Sequence, residues 1–139
     1  LTQKCPLRVA LLGSGLFATS AHAPTLRSHP HEFTVVAVWS RRFDPANKLA
    51  STFPQEDEDC RAYSGPEGLD ALLKRNDVEA IIMALPLDVQ PEYVRTALQA
   101  GKHVLSEKPI APTITAAKEV HQAYITKYKP LRLQWSIAE

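Results

Sequence analysis

Short apolar runs that stop at glycine or proline alternate with stretches whose apolar residues recur every three to four positions. Leu7-Arg8-Val9-Ala10-Leu11-Leu12 is a compact run ended by Gly13 and reads as a buried strand. Residues from about 17 to 29 suit a helix that Pro24 bends or delays. Residues 33–39, Phe-Thr-Val-Val-Ala-Val-Trp, are dense in β-branched and aromatic side chains and form the clearest strand. A helix is predicted over 45–53, with Asp44 as N-cap and Pro45 at the first helical position. A short strand near 61–63 precedes a helix over about 66–74, and a strand over 78–84 stops at Leu85-Pro86. The next helix puts Tyr93, Val94, Ala97 and Leu98 on one face and ends at Gly101. A fifth strand covers 103–107. A longer helix capped by Thr113 carries Ile114, Ala117, His121, Tyr124 and Tyr128 on one stripe, and a sixth strand covers 131–138.

Six strands alternating with helices require crossover connections, and crossovers make neighbouring strands parallel. The expected architecture is a doubly wound α/β sheet of about six mostly parallel strands, with helices on both faces. No linker, repeat or low-complexity tract divides residues 1–139, so they read as one domain.

The chain has 139 residues, 45% hydrophobic and 22% charged, with a formal net charge of +1. So even a balance argues against a nucleic-acid or membrane-surface partner. No apolar run approaches the roughly 20 residues of a membrane span, and the first residues lack a signal-type apolar stretch. Cys5 and Cys60 lie far apart without metal-ligand spacing, so free thiols, no metal and a cytoplasmic address are expected. Residues 55–59, Gln-Glu-Asp-Glu-Asp, read as a solvated acidic turn.

Chemistry enters at Gly13-Ser14-Gly15-Leu16-Phe17-Ala18, between the first strand and the first helix. That context turns a common glycine pattern into a dinucleotide-binding fingerprint. Gly13 permits the tight turn, Gly15 lets the backbone approach a pyrophosphate, and Ala18 stands where the third glycine or alanine packs helix on strand. The helix N-terminus offers unpaired N–H groups to the phosphates. At the end of the second strand, a cofactor without a 2′-phosphate usually meets an acidic residue. Here the chain reads Trp39-Ser40-Arg41-Arg42, with no acid before Asp44. A hydroxyl and two guanidinium forks suit a phosphate, which favours NADP(H) over NAD(H), with Arg41 ahead of Arg42. The competing reading makes both arginines ordinary solvated loop charges.

The third feature is Gly101-Lys102-His103-Val104-Leu105-Ser106-Glu107-Lys108-Pro109, a strand that runs into Glu-Lys-Pro at its carboxyl end. Ligands of open α/β sheets bind outside such ends. Lys108 there could reach a nicotinamide and a substrate oxygen, and Pro109 restricts Lys108 to an extended conformation.

With these pieces together, the chain resembles the N-terminal domain of the glucose–fructose oxidoreductase / inositol dehydrogenase (Gfo/Idh/MocA) family. The resemblance rests on the glycine turn, on Ala84-Leu85-Pro86, on the run from Ala97 to Pro109, and on a closing Ile137-Ala138-Glu139 similar to the family's Ala-Glu-Asn segment. It covers essentially the whole chain. The stretch Gly15 to Pro24 and the arginine-bearing second turn are most similar to fungal NADP-linked members.

The resemblance implies that Lys108 lies beside the nicotinamide and assists proton transfer, that Glu107 and Pro109 shape that pocket, and that Leu85 and Pro86 line the cofactor. It also implies a sugar, polyol or related hydroxyl/carbonyl substrate and a homo-oligomer. Gln90 stands where many members carry histidine; its amide could hydrogen-bond a ribose or carboxamide but cannot titrate. The family's histidine and aspartate on the second domain have no counterpart in these residues. The chain therefore reads as part of a two-domain protein, expected inactive in isolation.

Other signatures are missing. No tyrosine has a lysine four residues later, as short-chain dehydrogenases require, and no Gly-Lys-Ser/Thr makes a Walker loop. His22 reads as a packed or helix-surface histidine, and His29, His31 and His121 share no spacing. The functional expectation is an NADP(H)-dependent oxidoreductase; a non-catalytic dinucleotide sensor on the same fold is the alternative.

Overall fold

The computed structural model describes residues 5–53 and 60–139. The acidic turn predicted at 55–59 lies outside them. Among the described residues, six strands form one parallel sheet: β1 (Leu7–Leu12), β2 (Phe33–Ser40), β3 (Arg61–Ser64), β4 (Ala80–Met83), β5 (His103–Glu107) and β6 (Trp135–Ala138). Their order is β3-β2-β1-β4-β5-β6, every neighbouring pair parallel. The connections run outward from β1 in one direction and from β4 in the other, which is the doubly wound arrangement expected.

The helices are α1 (Ala23–Ser28), α2 (Phe43–Ala50), α3 (Gly65–Leu73), α4 (Gln90–Gln99) and α5 (Ile114–Ala123). They cover both faces of the sheet. Val9, Leu11, Val35 and Ile82 pack with Leu26 of α1 and Leu49 of α2. Ala10, Leu12, Val36, Ala37, Ile81 and Met83 pack on the other side with Leu72, Val94, Leu98 and Val120 from α3, α4 and α5. Alternation along β1 sends successive side chains to opposite faces. Val36 and Ala37 break that rule by sharing one face. The register explains it: Val9 opposes Val35 but Ala10 opposes Ala37, so β2 carries one extra residue as a bulge.

Several boundaries differ from those the sequence predicts. Helix α2 starts at Phe43 with Arg42, not Asp44, at its N-cap, and without a side-chain cap. There the Ser40 hydroxyl donates to the Arg42 carbonyl at 2.5 Å and shapes the entry to the helix. The helix after the glycine turn passes through a wide π turn (Ala18–His22) before α1. Pro24 has no N–H for the Ser20 carbonyl and its ring crowds that group, so the backbone widens just ahead of it. A second π turn (Tyr124–Tyr128) follows α5. The predicted stripe is already out of phase within α5 itself: Val120 is buried while Ile114 and His121 are exposed. Strand β6 begins only at Trp135, after a short 3-10 turn (Lys129–Leu131) and a left-handed Arg132.

At the amino edge of the sheet, Arg75 and Arg8 both donate to the Asp77 carboxylate, at 2.6 and 2.8 Å. The Arg75 guanidinium, with Arg8 beside it, holds Asp77 well below the usual carboxylate range. Lys102 is buried next to this cluster and donates to the carbonyls of Arg75 and Val78, at 2.6 and 2.8 Å. Burial pushes its ammonium downward.

The two central strands remain in close contact just past their ends. Gly13 has φ +112°, and a Cβ there would stand 2.3 Å from the Ala84 carbonyl oxygen. Gly13→Ala therefore combines a left-handed backbone strain with a backbone clash, and should destabilise by about 3 kcal/mol or more; urea unfolding measures it. A second prediction concerns acid. The unfolded Asp77 carboxyl titrates near about pH 4 and its folded value is lower, so its stabilisation is complete above that pH and fades as pH falls further. The stability gap between wild type and Asp77→Asn should therefore be largest near neutrality and shrink toward pH 2.

Candidate functional site

The reversal of strand order between β1 and β4 opens a crevice at their carboxyl ends, the usual ligand position in such sheets. A cleft of about 390 Å³ lies there, walled by Gly13, Ser14 and Gly15 on one side and Leu85 and Pro86 on another. Ser40, Arg41 and Arg42 close the end beside β2. All eight of these residues are candidates named from the sequence. Both arginines are exposed, whereas Ser40 is buried. The Ser40 hydroxyl proton is committed to the Arg42 carbonyl, so Ser40 orders the turn and leaves donation to an anion to its neighbours.

The glycine turn fits a phosphate group. A Cβ at Gly15 would meet nothing within 4 Å, so the main chain there faces open space. The following helix takes up its pattern when Thr19 N–H bonds to Gly15 O at 3.0 Å, which leaves the preceding amides outside the helical ladder. Gly13 answers to a further constraint that Gly15 does not: a Cβ there would run into the Ala84 carbonyl. Leu16 and Phe17 stand 80% and 60% exposed at the head of the helix, beyond the cleft walls.

Glu107 ends β5, and Lys108 and Pro109 follow it at the same carboxyl edge, both exposed. The Lys108–Pro109 peptide is cis. Glu107 is tied to the first βα unit, its carboxylate lying 2.5 Å from Nε2 of His22 within the π turn. His22 is thus a packed histidine, as read from the sequence, but one whose partner belongs to the Glu-Lys-Pro turn. Gln90 differs from its expectation. It is 1% exposed, and its amide is engaged by main-chain groups of Glu107 and Pro109 and not turned to the open cleft.

The structure adds wall residues that sequence reasoning passed over: Trp39, Pro45, Ala84, Asp88, Val89 and Tyr93. Trp39 and Tyr93 pack at 5.5 Å between ring centroids, and the Trp39 indole N–H donates to Gly65 O at 2.8 Å. Their adjacency arises across β2 and α4, so local spacing carries no trace of it. A signal did exist for Trp39: a large aromatic at the last turn of a buried strand that ends at a ligand crevice.

Among the described residues, no helix is long and apolar enough to cross a membrane. Cys5 and Cys60 are free thiols, and burial pushes the Cys60 thiol up to about 12.

Known proteins share this arrangement. Dehydrogenase FPY6 of Fusarium mangiferae is 40% identical over 134 residues, 94% of this chain and 37% of its own length. An uncharacterized oxidoreductase of Schizosaccharomyces pombe is 39% identical over 129 residues, 92% of this chain and 32% of its own. The crystal structure of KijD10, a 3-ketoreductase from Actinomadura kijaniata in complex with NADP and TDP-benzene, superposes with a TM-score of 0.78 at 30% identity. It is matched over 95% of this chain and 37% of that one. The chain thus spans about a third of the length of these relatives. Residues 7–134 match the model of an oxidoreductase family with an NAD-binding Rossmann fold, and the chain belongs to that family, Gfo/Idh/MocA.

Proposed function

We propose that the chain is the dinucleotide-binding domain of an NADP(H)-dependent oxidoreductase that acts on a sugar-like hydroxyl or carbonyl compound. One observation carries the reading: the candidate groups stand in a line along one edge of the sheet. From β2 through β1 and β4 to β5 come two exposed guanidinium groups, an open glycine turn, an apolar wall and an exposed lysine. Three strand spacings, about 14 Å in all, separate the arginine end from the lysine end. An extended dinucleotide laid along that edge would have its 2′-phosphate at Arg41 and Arg42, its pyrophosphate at Gly13 to Gly15, and its nicotinamide toward Lys108. The NADP bound to KijD10 and the 3-reductase names of several relatives support the cofactor and the substrate class.

When bound, the nicotinamide would supply or accept the hydride. The chain's own residues then have distinct tasks. Arg41 and Arg42 hold the phosphate through charge-assisted hydrogen bonds. The Gly15 turn and the helix amides behind it bind the pyrophosphate, with Leu16 and Phe17 flanking the turn, and Leu85 and Pro86 keep one side apolar. Lys108, through Nζ, hydrogen-bonds the substrate oxygen and gives or takes its proton, while Glu107 and Pro109 shape its turn. The opposing substrate wall is assigned to a second domain, in a homo-oligomer with a cytoplasmic, reducing address that suits the two free thiols.

Two experiments test this. In titrations with NADPH and NADH, wild type should prefer NADPH. Arg41→Ala should weaken NADPH by about tenfold to a hundredfold and leave NADH nearly unchanged; equal wild-type affinities would overturn the phosphate assignment. In the full chain, Lys108→Ala should remove most NADPH-dependent reduction of dTDP-linked ketosugar probes while NADPH binding stays within about threefold. Undiminished turnover would refute the role of Lys108.

A further inference from the structure

Gln90 is the first residue of α4 and one of the most deeply buried polar side chains among the described residues. Its Nε2 donates to the Glu107 carbonyl at 2.8 Å and to the Pro109 carbonyl at 3.0 Å. Its Oε1 accepts from the Glu107 N–H at 3.1 Å. A carboxamide has two N–H donors and one acceptor oxygen, so both donors and the oxygen are engaged. These three bonds fall on both flanks of Lys108, which itself projects to solvent.

The turn needs such a clamp. Glu107 sits where β5 ends, and its N–H and carbonyl leave the strand ladder for Gln90. A buried main-chain group without a partner costs on the order of 1–3 kcal/mol. Few other side chains could serve three of them: a carboxylate only accepts, an apolar side chain does neither, and a charge at this depth would be costly. A second tie, from His22 to the Glu107 carboxylate, holds the side chain of the turn but leaves its main chain to Gln90.

We infer that Gln90 is a positioning residue, whose carboxamide fixes the main chain on either side of Lys108 and so sets where that ammonium stands relative to the dinucleotide. The inference rests on the reading of Lys108 as the proton-handling group beside the nicotinamide. It removes Gln90 from direct contact with the cofactor, and it predicts that cofactor affinity and nicotinamide environment respond separately to Gln90.

The test uses the full chain as wild type, Gln90→Met, Lys108→Ala and the double variant, with NADPH as the probe. Two quantities are read: the dissociation constant, and the emission maximum and intensity of bound NADPH. Lys108→Ala should change the emission; Gln90→Met should change it in the same sense, with affinity within about threefold, and the double variant should add little. If Lys108→Ala leaves the emission unchanged, the placement of Lys108 fails and the positioning role fails with it. If Lys108→Ala changes the emission and Gln90→Met does not, the positioning role alone is overturned. Amide hydrogen exchange gives a readout that needs no variant: the wild-type Glu107 N–H should be protected at least about tenfold over an unstructured peptide. Exchange at the unprotected rate would overturn the clamp even if Gln90→Met does not fold.

Discussion

The whole site depends on how closely two strand ends can approach. Strands β1 and β4 lie side by side, and the chain leaves them toward opposite ends of the sheet. The crevice between their exits exists only if both backbones turn away within one residue of each other. At Gly13 that demand becomes steric, because the Ala84 carbonyl occupies the space a Cβ would need. The left-handed φ of Gly13 then carries the chain over the crevice and into the helix. Gly15, two residues on, faces open space. The two glycines of one motif thus answer to different surroundings, one to a protein carbonyl and one to open space beside the cleft.

With that geometry set, the polar groups of the carboxyl edge divide by where their hydrogen bonds go. Ser40, Gln90, His22 and Trp39 turn inward and bond to other parts of the protein. Arg41, Arg42 and Lys108 remain exposed. The inward set builds the turns on which the exposed set stands. Satisfying these buried groups locally gives the loops a defined shape before any ligand arrives, which lowers the ordering cost of binding. The amino edge shows the opposite use of charge: Arg8, Arg75, Asp77 and Lys102 bond to one another and to main-chain carbonyls there.

Much of this was legible in sequence, and the parts that were not share a cause. The bounds of β1 and β5 follow from apolar runs with sharp stops, and the glycine turn follows from its place between strand and helix. The long Gly101 to Pro109 run proved to be two things in one: Gly101 and Lys102 terminate α4 and staple the amino edge, while Glu107 to Pro109 end β5 and turn at the carboxyl edge. What sequence concealed was tertiary. The Asp44 cap fails because Ser40 captures the Arg42 carbonyl and starts the helix earlier. The wall pair of Trp39 and Tyr93, the tie from His22 to Glu107 and the bonds of Gln90 join residues that only the folded sheet brings together.

The choice of glutamine at the head of α4 shows how one neutral side chain can constrain the turn next to it. A histidine in the same place would offer one donor and one acceptor when neutral and two donors when charged. It could not serve two carbonyls and an N–H at once, and its set of bonds would change with protonation. Glutamine keeps the same donors and acceptor across the whole working pH range. The main chain on either side of Lys108 is therefore held by three bonds that do not titrate. In this chain a neutral carboxamide ties the main chain on either side of the exposed lysine, and its donors and acceptor keep their places whatever the pH.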